Sequence, residues 1–469
     1  MFIGREKELS ALNDFYESGR FEMVTIYGRR RVGKTELIKE FTRDKKVIYF
    51  LATEGNYKEN LSGLTSAIHN TMAQASYKDF RLALEAIHEI AQKEKIVFVI
   101  DEYPYFAKSY KPESSLLQHA IDQKFQYMDI MIILCGSSMS FMEHEVDGYK
   151  SPLYGRRTGQ LKVLPLDFDT SKKFFSDFSI YEQAVLYGIT GGIPKYLIQV
   201  RNSQSLDENI IRMFFKPQGL LFEEPNNLLK QELREPAVYS AIISAIATGS
   251  SKLNEIVTKI DSDKFDSAKC NKYMNTLINL HIVRKELPIS EKPTSRKSIY
   301  RLNDGMFRFW YRFVYPNISK IALDSGELVY AYIQDRISAF MGETFEDMCK
   351  QYLWQENIND RLPFRFNDCG CWWGNNPVLK SEQEIDLLAF SINERKVLFS
   401  ECKWSDEQVN SHVLDGLIDK SSMFSYEDKY YILFSKTGFT ENVKKRASER
   451  IRLIDFEQMC SLAGDSEDY

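Results

Sequence analysis

The chain has no apolar run that approaches the length of a membrane span, so no membrane partner is expected. It also lacks a basic surplus. With 61 Lys and Arg against 66 Asp and Glu, its net charge is -5 and its pI is near 5.9. Any contact with nucleic acid must therefore come from a local patch. Residues 1–20 lack the basic-then-apolar layout of a signal peptide, which makes a cytoplasmic location the expectation. Seven cysteines, an odd and scattered set, suit free thiols in a reducing compartment better than a disulfide framework. Cys369 and Cys371 form a Cys-x-Cys pair with no second pair or histidine cluster nearby to complete a zinc site. They read as structural thiols.

What is present is ordinary for a soluble globular protein, with 27% charged and 43% hydrophobic residues. At 469 residues the chain is too long for one compact core, and about three domains of roughly 150 residues are expected.

The most specific local pattern is Gly28-Arg29-Arg30-Arg31-Val32-Gly33-Lys34-Thr35, directly after the apolar stretch Phe21 to Ile26 and Tyr27. This spacing fits a phosphate-binding loop between a strand and a helix. The two glycines let backbone N–H groups curl toward a β-phosphate, Lys34 reaches the β- and γ-phosphates, and the Thr35 hydroxyl holds Mg2+. Glu36 to Phe41 continues as a helix whose positive dipole end faces the phosphates. ATP and Mg2+ are thus the expected cofactors. A second half follows at Ile96-Val97-Phe98-Val99-Ile100-Asp101-Glu102, an apolar run suited to a strand buried on both faces and ending in two carboxylates. Asp101 fits Mg2+ coordination, and Glu102 fits polarisation of the attacking water.

Strand and helix patterns alternate through this region, with a strand at Val47 to Ala52 and helices around Tyr57 to Met72 and Phe80 to Gln92. That alternation points to a parallel α/β sheet. Another apolar run, Ile130 to Cys135, ends in Gly136-Ser137-Ser138, where Ser137 is either a γ-phosphate sensor or a helix cap. Arg156 and Arg157 stand in a loop before the strand-like Gln160 to Leu164. They can stabilise transferred charge or simply pair with surface acids. Helical periodicity then runs to about Phe215, broken at Gly191-Gly192-Ile193-Pro194, which reads as a bend that carries a helical lid or as a helix–helix turn.

Residues 236 to 301 read as three short helices, Ala237 to Ala247, Lys252 to Lys259 and Ser267 to Leu280, followed by a hairpin through Val283 to Lys285 and Ser298 to Tyr300. This is a winged helix-turn-helix pattern. For DNA, the third helix offers Lys269, Asn271, Lys272 and Asn275, and the wing offers Arg284, Lys285, Arg296 and Lys297. Packing against a partner or another domain is the alternative use. The aromatic run Phe307 to Tyr315 reads as interdomain core, with Arg308 and Arg312 snorkelling at its edge.

A second cluster of chemistry lies near the C-terminus. Phe340 to Trp354 has helical periodicity with Glu343 and Glu346 on it, Arg365 to Trp373 is strand-like, and Glu384 to Ala389 and Lys396 to Trp404 read as adjacent strands. A helix from His412 to Met423 and strands at Tyr430 to Phe434 and Ile451 to Phe456 complete a small α/β sheet. Alternation puts Glu401 and Lys403 on one face. Asp386 and Glu401 can hold Mg2+ while Lys403 orients the water that attacks a phosphodiester. The alternative is a solvated ion pair on a strand.

These residues together resemble the archaeal-type P-loop ATPase family of AAA+ and STAND-like proteins. Phe2-Ile3-Gly4-Arg5-Glu6-Lys7-Glu8-Leu9 looks like that family's opening motif near the adenine, and the Gly28 loop, Asp101-Glu102, Gly136-Ser137-Ser138, Tyr154-Gly155-Arg156-Arg157 and Gly191-Gly192-Ile193-Pro194 follow in its order. The part from about Leu302 resembles a C-terminal domain of unknown function often fused to such ATPases, itself similar to the PD-(D/E)xK nuclease fold. Asp386, Glu401 and Lys403 carry that likeness, with Glu346 as the helix acid and no proline before Asp386. The resemblance implies an ATPase core over 1–165, a helical lid over 166–235, a winged helix over 236–302, an aromatic connector over 303–335 and a restriction-endonuclease-like α/β domain over 336–469. It implies an ATP-hydrolysing switch coupled to a DNA-directed C-terminal domain acting as a Mg2+-dependent nuclease. The alternative is a regulatory ATPase whose inactive nuclease-like domain binds DNA or protein. A homo-oligomer or a partner protein is compatible with either.

Overall fold

Five stretches of sequence supply the first sheet: β1 (Glu22–Tyr27), β2 (Val47–Leu51), β3 (Ile96–Asp101), β4 (Ile130–Gly136) and β5 (Gly159–Lys162). In the computed structural model, which describes residues 2–70, 77–146, 148–260, 265–292, 294–295, 297–376, 380–393 and 395–462, these strands lie in the order β2-β3-β4-β1-β5. Every pairing is parallel. Every residue of β1, β3 and β4 is buried, which is why their sequences read as nearly unbroken apolar runs. Parallel neighbours need crossover connections, and helices α1 (Glu6–Tyr16), α2 (Lys34–Phe41), α3 (Tyr57–His69), α4 (Phe80–Ala91), α5 (Tyr103–Ser109) and α6 (Glu113–Gln123) surround the sheet in sequence. The expected helix to Met72 ends at His69, and Met72 lies outside the described residues. Alternation sends Ile48, Phe50, Phe98 and Ile100 into a core shared with Leu61, Leu64 and Ile87, leaving Tyr49, Val99 and Asp101 for the opposite face.

The chain divides into two compact units, the first running to Leu166 and including Ile193–Lys195, the second taking Asp167–Gly192 and the chain from Tyr196 onward. The switch at Ile193 follows a helix, α7 (Ile180–Thr190), that ends in two left-handed glycines, Gly191 at φ 64° and Gly192 at φ 68°. The bend expected at this motif is therefore a double left-handed turn, which glycine adopts at little cost.

In the second unit three helices, α8 (Pro236–Ala247), α9 (Leu253–Ile260) and α10 (Ser267–Asn279), precede an antiparallel hairpin of β6 (Val283–Glu286) and β7 (Ile299–Leu302). The aromatic run that follows is core: Phe307, Phe309, Trp310 and Tyr311 are fully buried, and the Trp310 indole donates to the Phe222 carbonyl at 2.7 Å. One expectation there is corrected. Arg312 is exposed, but Arg308 is buried rather than at the edge, donating to Thr344 and paired with Glu343 at 3.2 Å. A buried guanidinium needs such a partner because its charge cannot be left unsolvated.

A long helix, α11 (Ile337–Ile358), leads into β8 (Asp368–Asn376), β9 (Ser381–Ser391), β10 (Lys396–Lys403), α12 (Ser411–Ser421), β11 (Asp428–Ser435) and β12 (Ile451–Asp455). The sheet order is β12-β11-β10-β9-β8. The first three strands form an antiparallel meander, and β10, β11 and β12 pair in parallel. Among the described residues no helix is long and apolar enough to cross a membrane.

Candidate functional site

The Gly28–Thr35 loop joins β1 to α2, and its start is fixed by a close approach. A Cβ on Gly28 would stand 2.3 Å from the Val163 carbonyl oxygen, while the Val163 amide donates to the Tyr27 carbonyl at 2.8 Å. Arg31 at φ 74° and Gly33 at φ 93° turn the chain through the left-handed region into α2. Arg5 braces the loop from α1's N-terminus: its guanidinium donates to the carbonyls of Val32 at 3.1 Å and Leu164 at 2.6 Å and pairs with Glu8 at 2.8 Å. Lys34 is buried and its ammonium donates to the Gly28 and Arg29 carbonyls at 2.9 and 3.1 Å. Burial pulls its pKa below the usual lysine value. Arg30 donates to the Tyr105 hydroxyl at 2.9 Å, and Arg29 and Arg31 are half-buried.

The carboxylates at the end of β3 sit against this loop. Asp101 is buried, and its Oδ2 accepts from the Thr35 hydroxyl at 2.8 Å and from the Tyr49 phenol at 2.5 Å. Its Oδ1 accepts from the Glu102 amide at 2.9 Å. Burial, followed by the charge of Asp101, raises the Tyr49 pKa, so the phenol stays a donor. Glu102 adopts φ 52° and its Oε2 accepts from the Ser137 hydroxyl at 2.9 Å and amide at 3.3 Å. Loop, acidic pair and Ser137 thus come together in one place, at the C-terminal ends of β1, β3 and β4. Donors of this kind, with a threonine hydroxyl already on a carboxylate, are the oxygen chemistry that Mg2+ takes. Arg156 is held elsewhere, in a fork on Asp122 at 3.1 and 2.9 Å that lowers the Asp122 pKa. Arg157 donates to Gln160. Neither contact involves the loop or the acidic pair.

The second cluster lies entirely in the second unit. Asp386 on β9 accepts from the Cys402 amide at 2.8 Å and stands 3.9 Å from the Lys403 ammonium. Both oxygens of Glu401 on β10 are engaged, by Lys403 at 2.7 Å and Lys420 of α12 at 3.2 Å. Burial and then the Glu401 charge push Asp386 up to about 6. Glu346 on α11 is pushed up to about 7, by burial and then by Asp386. Burial lowers the Lys403 pKa, but Glu401 and Asp386 outweigh it and leave the group raised. Arg301 of β7 reaches into this region, 3.2 Å from each of Glu346, Glu384 and Glu286. Among the described residues no group of three or more His, Cys, Asp and Glu converges to hold a metal ion. Cys369 is buried and Cys371 half-buried, both free thiols.

The hairpin corrects a further expectation. Arg284, expected to face phosphates, pairs with Asp347 at 2.7 Å and Glu286 at 2.7 Å. Lys297 pairs with Glu291 at 2.5 Å, and Arg296 lies outside the described residues. On α10, Lys269, Asn271, Lys272 and Asn275 are exposed. Sequence reasoning missed Tyr49, Lys420 and Arg301, and it gave Arg5 no role of its own. Only tertiary pairing brings the first three to their partners; Arg5 had a signal in the Gly4-Arg5 turn, where both residues are left-handed.

A family model described as an ATPase domain predominantly from Archaea matches residues 2–200, and one described as archaeal and bacterial proteins of unknown function matches residues 310–413. The uncharacterized protein MJECL04 of Methanocaldococcus jannaschii is 34% identical over 443 residues, covering 93% of this chain and 96% of that protein. The uncharacterized ATP-binding protein MJ0423 of the same organism is 45% identical over 47 residues, 10% of this chain and 80% of its own. Among solved structures, the Walker-type ATPase PABY2304 of Pyrococcus abyssi superposes with a TM-score of 0.51 at 20% identity, over 66% of this chain and 96% of that one. This last likeness is one of fold.

Proposed function

This chain belongs to the family of ATPases found predominantly in Archaea, and on that premise we propose that it is an ATP-driven switch whose cycle governs a DNA-directed second unit. The observation that carries the site is the 2.8 Å bond from Thr35 to Asp101, which joins the loop of one strand to the acid of another. In this reading Gly28 to Lys34 hold the phosphates, and Thr35 with Asp101 hold Mg2+, which supplies charge neutralisation at the phosphates. Glu102 accepts a proton from the attacking water, and Ser137 keeps its carboxylate in place. The fork on Asp122 supports an anchoring role for Arg156.

For the second unit, the helix–helix–helix–hairpin order supports a winged helix over 236–302 that meets DNA through the exposed face of α10. The α11-β8-β9-β10-α12-β11 order, with Glu346, Asp386, Glu401 and Lys403 on it, supports a restriction-endonuclease-like domain over 336–469. The lid over 166–235 and the connector over 303–335 complete this division. Lys403 and Lys420 on Glu401, and Arg301 on Glu346, favour the second form of this reading, in which that domain holds DNA or a protein partner without cutting.

Measuring DNA binding and DNA integrity together tests both forms. With no nucleotide, ADP or ATP present, the affinity for DNA should differ between nucleotide states, and the DNA should remain intact with Mg2+ or Mn2+. Equal affinity in all three states sinks the switch. Cleavage that Asp386→Asn abolishes establishes the nuclease instead.

A further inference from the structure

Asp101 is held by more than the loop that faces it. Its Oδ2 accepts two hydroxyl groups at once, Thr35 at 2.8 Å and Tyr49 at 2.5 Å, and its Oδ1 accepts the Glu102 amide at 2.9 Å. A carboxylate offers about four lone-pair directions, so these donors fix its plane. Tyr49 comes from β2, the edge strand of the sheet, where Val99 is its register partner on β3 and Leu51 is that of Asp101. The tyrosine therefore lies on the Asp101 face of the sheet, two residues along the edge. Its neighbours Ile48 and Phe50 pack into the core on the other face, which anchors the strand that presents it.

We propose that Tyr49 is a positioning residue for the nucleotide's divalent cation: its phenol locks the Asp101 carboxylate in the orientation that takes the Thr35 hydroxyl proton, so that the Thr35 oxygen turns a lone pair toward the ion. Tyr49 touches neither nucleotide nor metal in this account; it acts through Asp101. Without the phenol, Asp101 loses one of the two donors on Oδ2. The carboxylate is then held only by the Glu102 amide and Thr35 itself, so its plane is less firmly set and Thr35 has a less firmly placed acceptor. Groups that orient a metal's ligands are worth about 10- to 100-fold in metal affinity. The inference rests on reading Gly28–Thr35 as the phosphate site.

The test uses the full-length protein, with Tyr49→Phe keeping the ring and removing only the hydroxyl. Binding of a fluorescent ATP analogue is measured in EDTA, and binding of Mn2+ to the nucleotide-loaded protein is followed by electron paramagnetic resonance. In EDTA, Tyr49→Phe should bind the analogue as the unaltered protein does. With nucleotide present, its Mn2+ affinity should fall about tenfold or more. Because the effect runs through Asp101, Tyr49→Phe added to Asp101→Asn should cost nothing further. Unchanged Mn2+ affinity overturns the proposal. So does an additive loss in the double variant, and so does an equal loss of analogue binding in EDTA, which marks Tyr49 as merely structural. If the unaltered protein binds no nucleotide in EDTA or with Mn2+, it is the phosphate-site reading that fails. Should Tyr49→Phe not fold, Tyr49→Trp, which restores an N–H donor on a ring, takes its place and should retain part of the Mn2+ affinity; complete loss there counts against the proposal.

Discussion

At the scale of single residues, Gly28 decides where the loop begins. A methyl group there would lie 2.3 Å from the Val163 carbonyl oxygen, a backbone atom that cannot swing aside. Gly28→Ala is therefore expected to push β1 and the segment after β5 apart, costing about 1–3 kcal/mol and weakening nucleotide binding. An unfolding midpoint and a nucleotide titration check it, and a variant with both unchanged contradicts the reading of the close approach. This residue was legible in the sequence because the glycine–lysine spacing is local. Tyr49 was not, because nothing near it in the chain announces that its hydroxyl reaches Asp101, 52 positions away. Lys420 is similar, meeting Glu401 only because α12 packs beside β10.

At the scale of elements, apolar runs announced β3 and β4 because strands covered on both faces leave that signature. The hairpin was legible as a hairpin, but the charge of Arg284 was misread. Arg284 looked like a phosphate contact in a basic stretch, yet Asp347 and Glu286 take it up, and only the packing of β6 against α11 could have revealed that. The two kinds of basic residue should separate in experiment. Arg284→Met removes the cation from half-buried Asp347, while Glu286 keeps Arg301, and should destabilise the second unit by about 1–3 kcal/mol without changing DNA affinity in the protein that remains folded. Lys272→Ala on α10 should leave the unfolding midpoint unchanged, weaken DNA binding and make its salt dependence shallower by about one unit of slope. The reverse pattern would place the DNA contact on the hairpin.

At the scale of the whole molecule, the chain joins an ATPase domain of an archaeal family to a second unit carrying its own half-buried acidic cluster. The first was legible from motif order alone, since the Gly28 loop, Asp101-Glu102 and Gly136-Ser137-Ser138 each end a strand and those strands share one parallel sheet. The second was legible as an element order, while the lysine and arginine contacts that set its chemistry come from separate elements. The central claim is that the loop, Asp101 and Glu102 form a working hydrolytic site. ATP turnover by Glu102→Gln, measured beside nucleotide binding, tests it most directly. The account predicts that the variant still binds ATP and Mg2+ while hydrolysis falls by about 10²- to 10⁴-fold; turnover at the rate of the unaltered protein would contradict it.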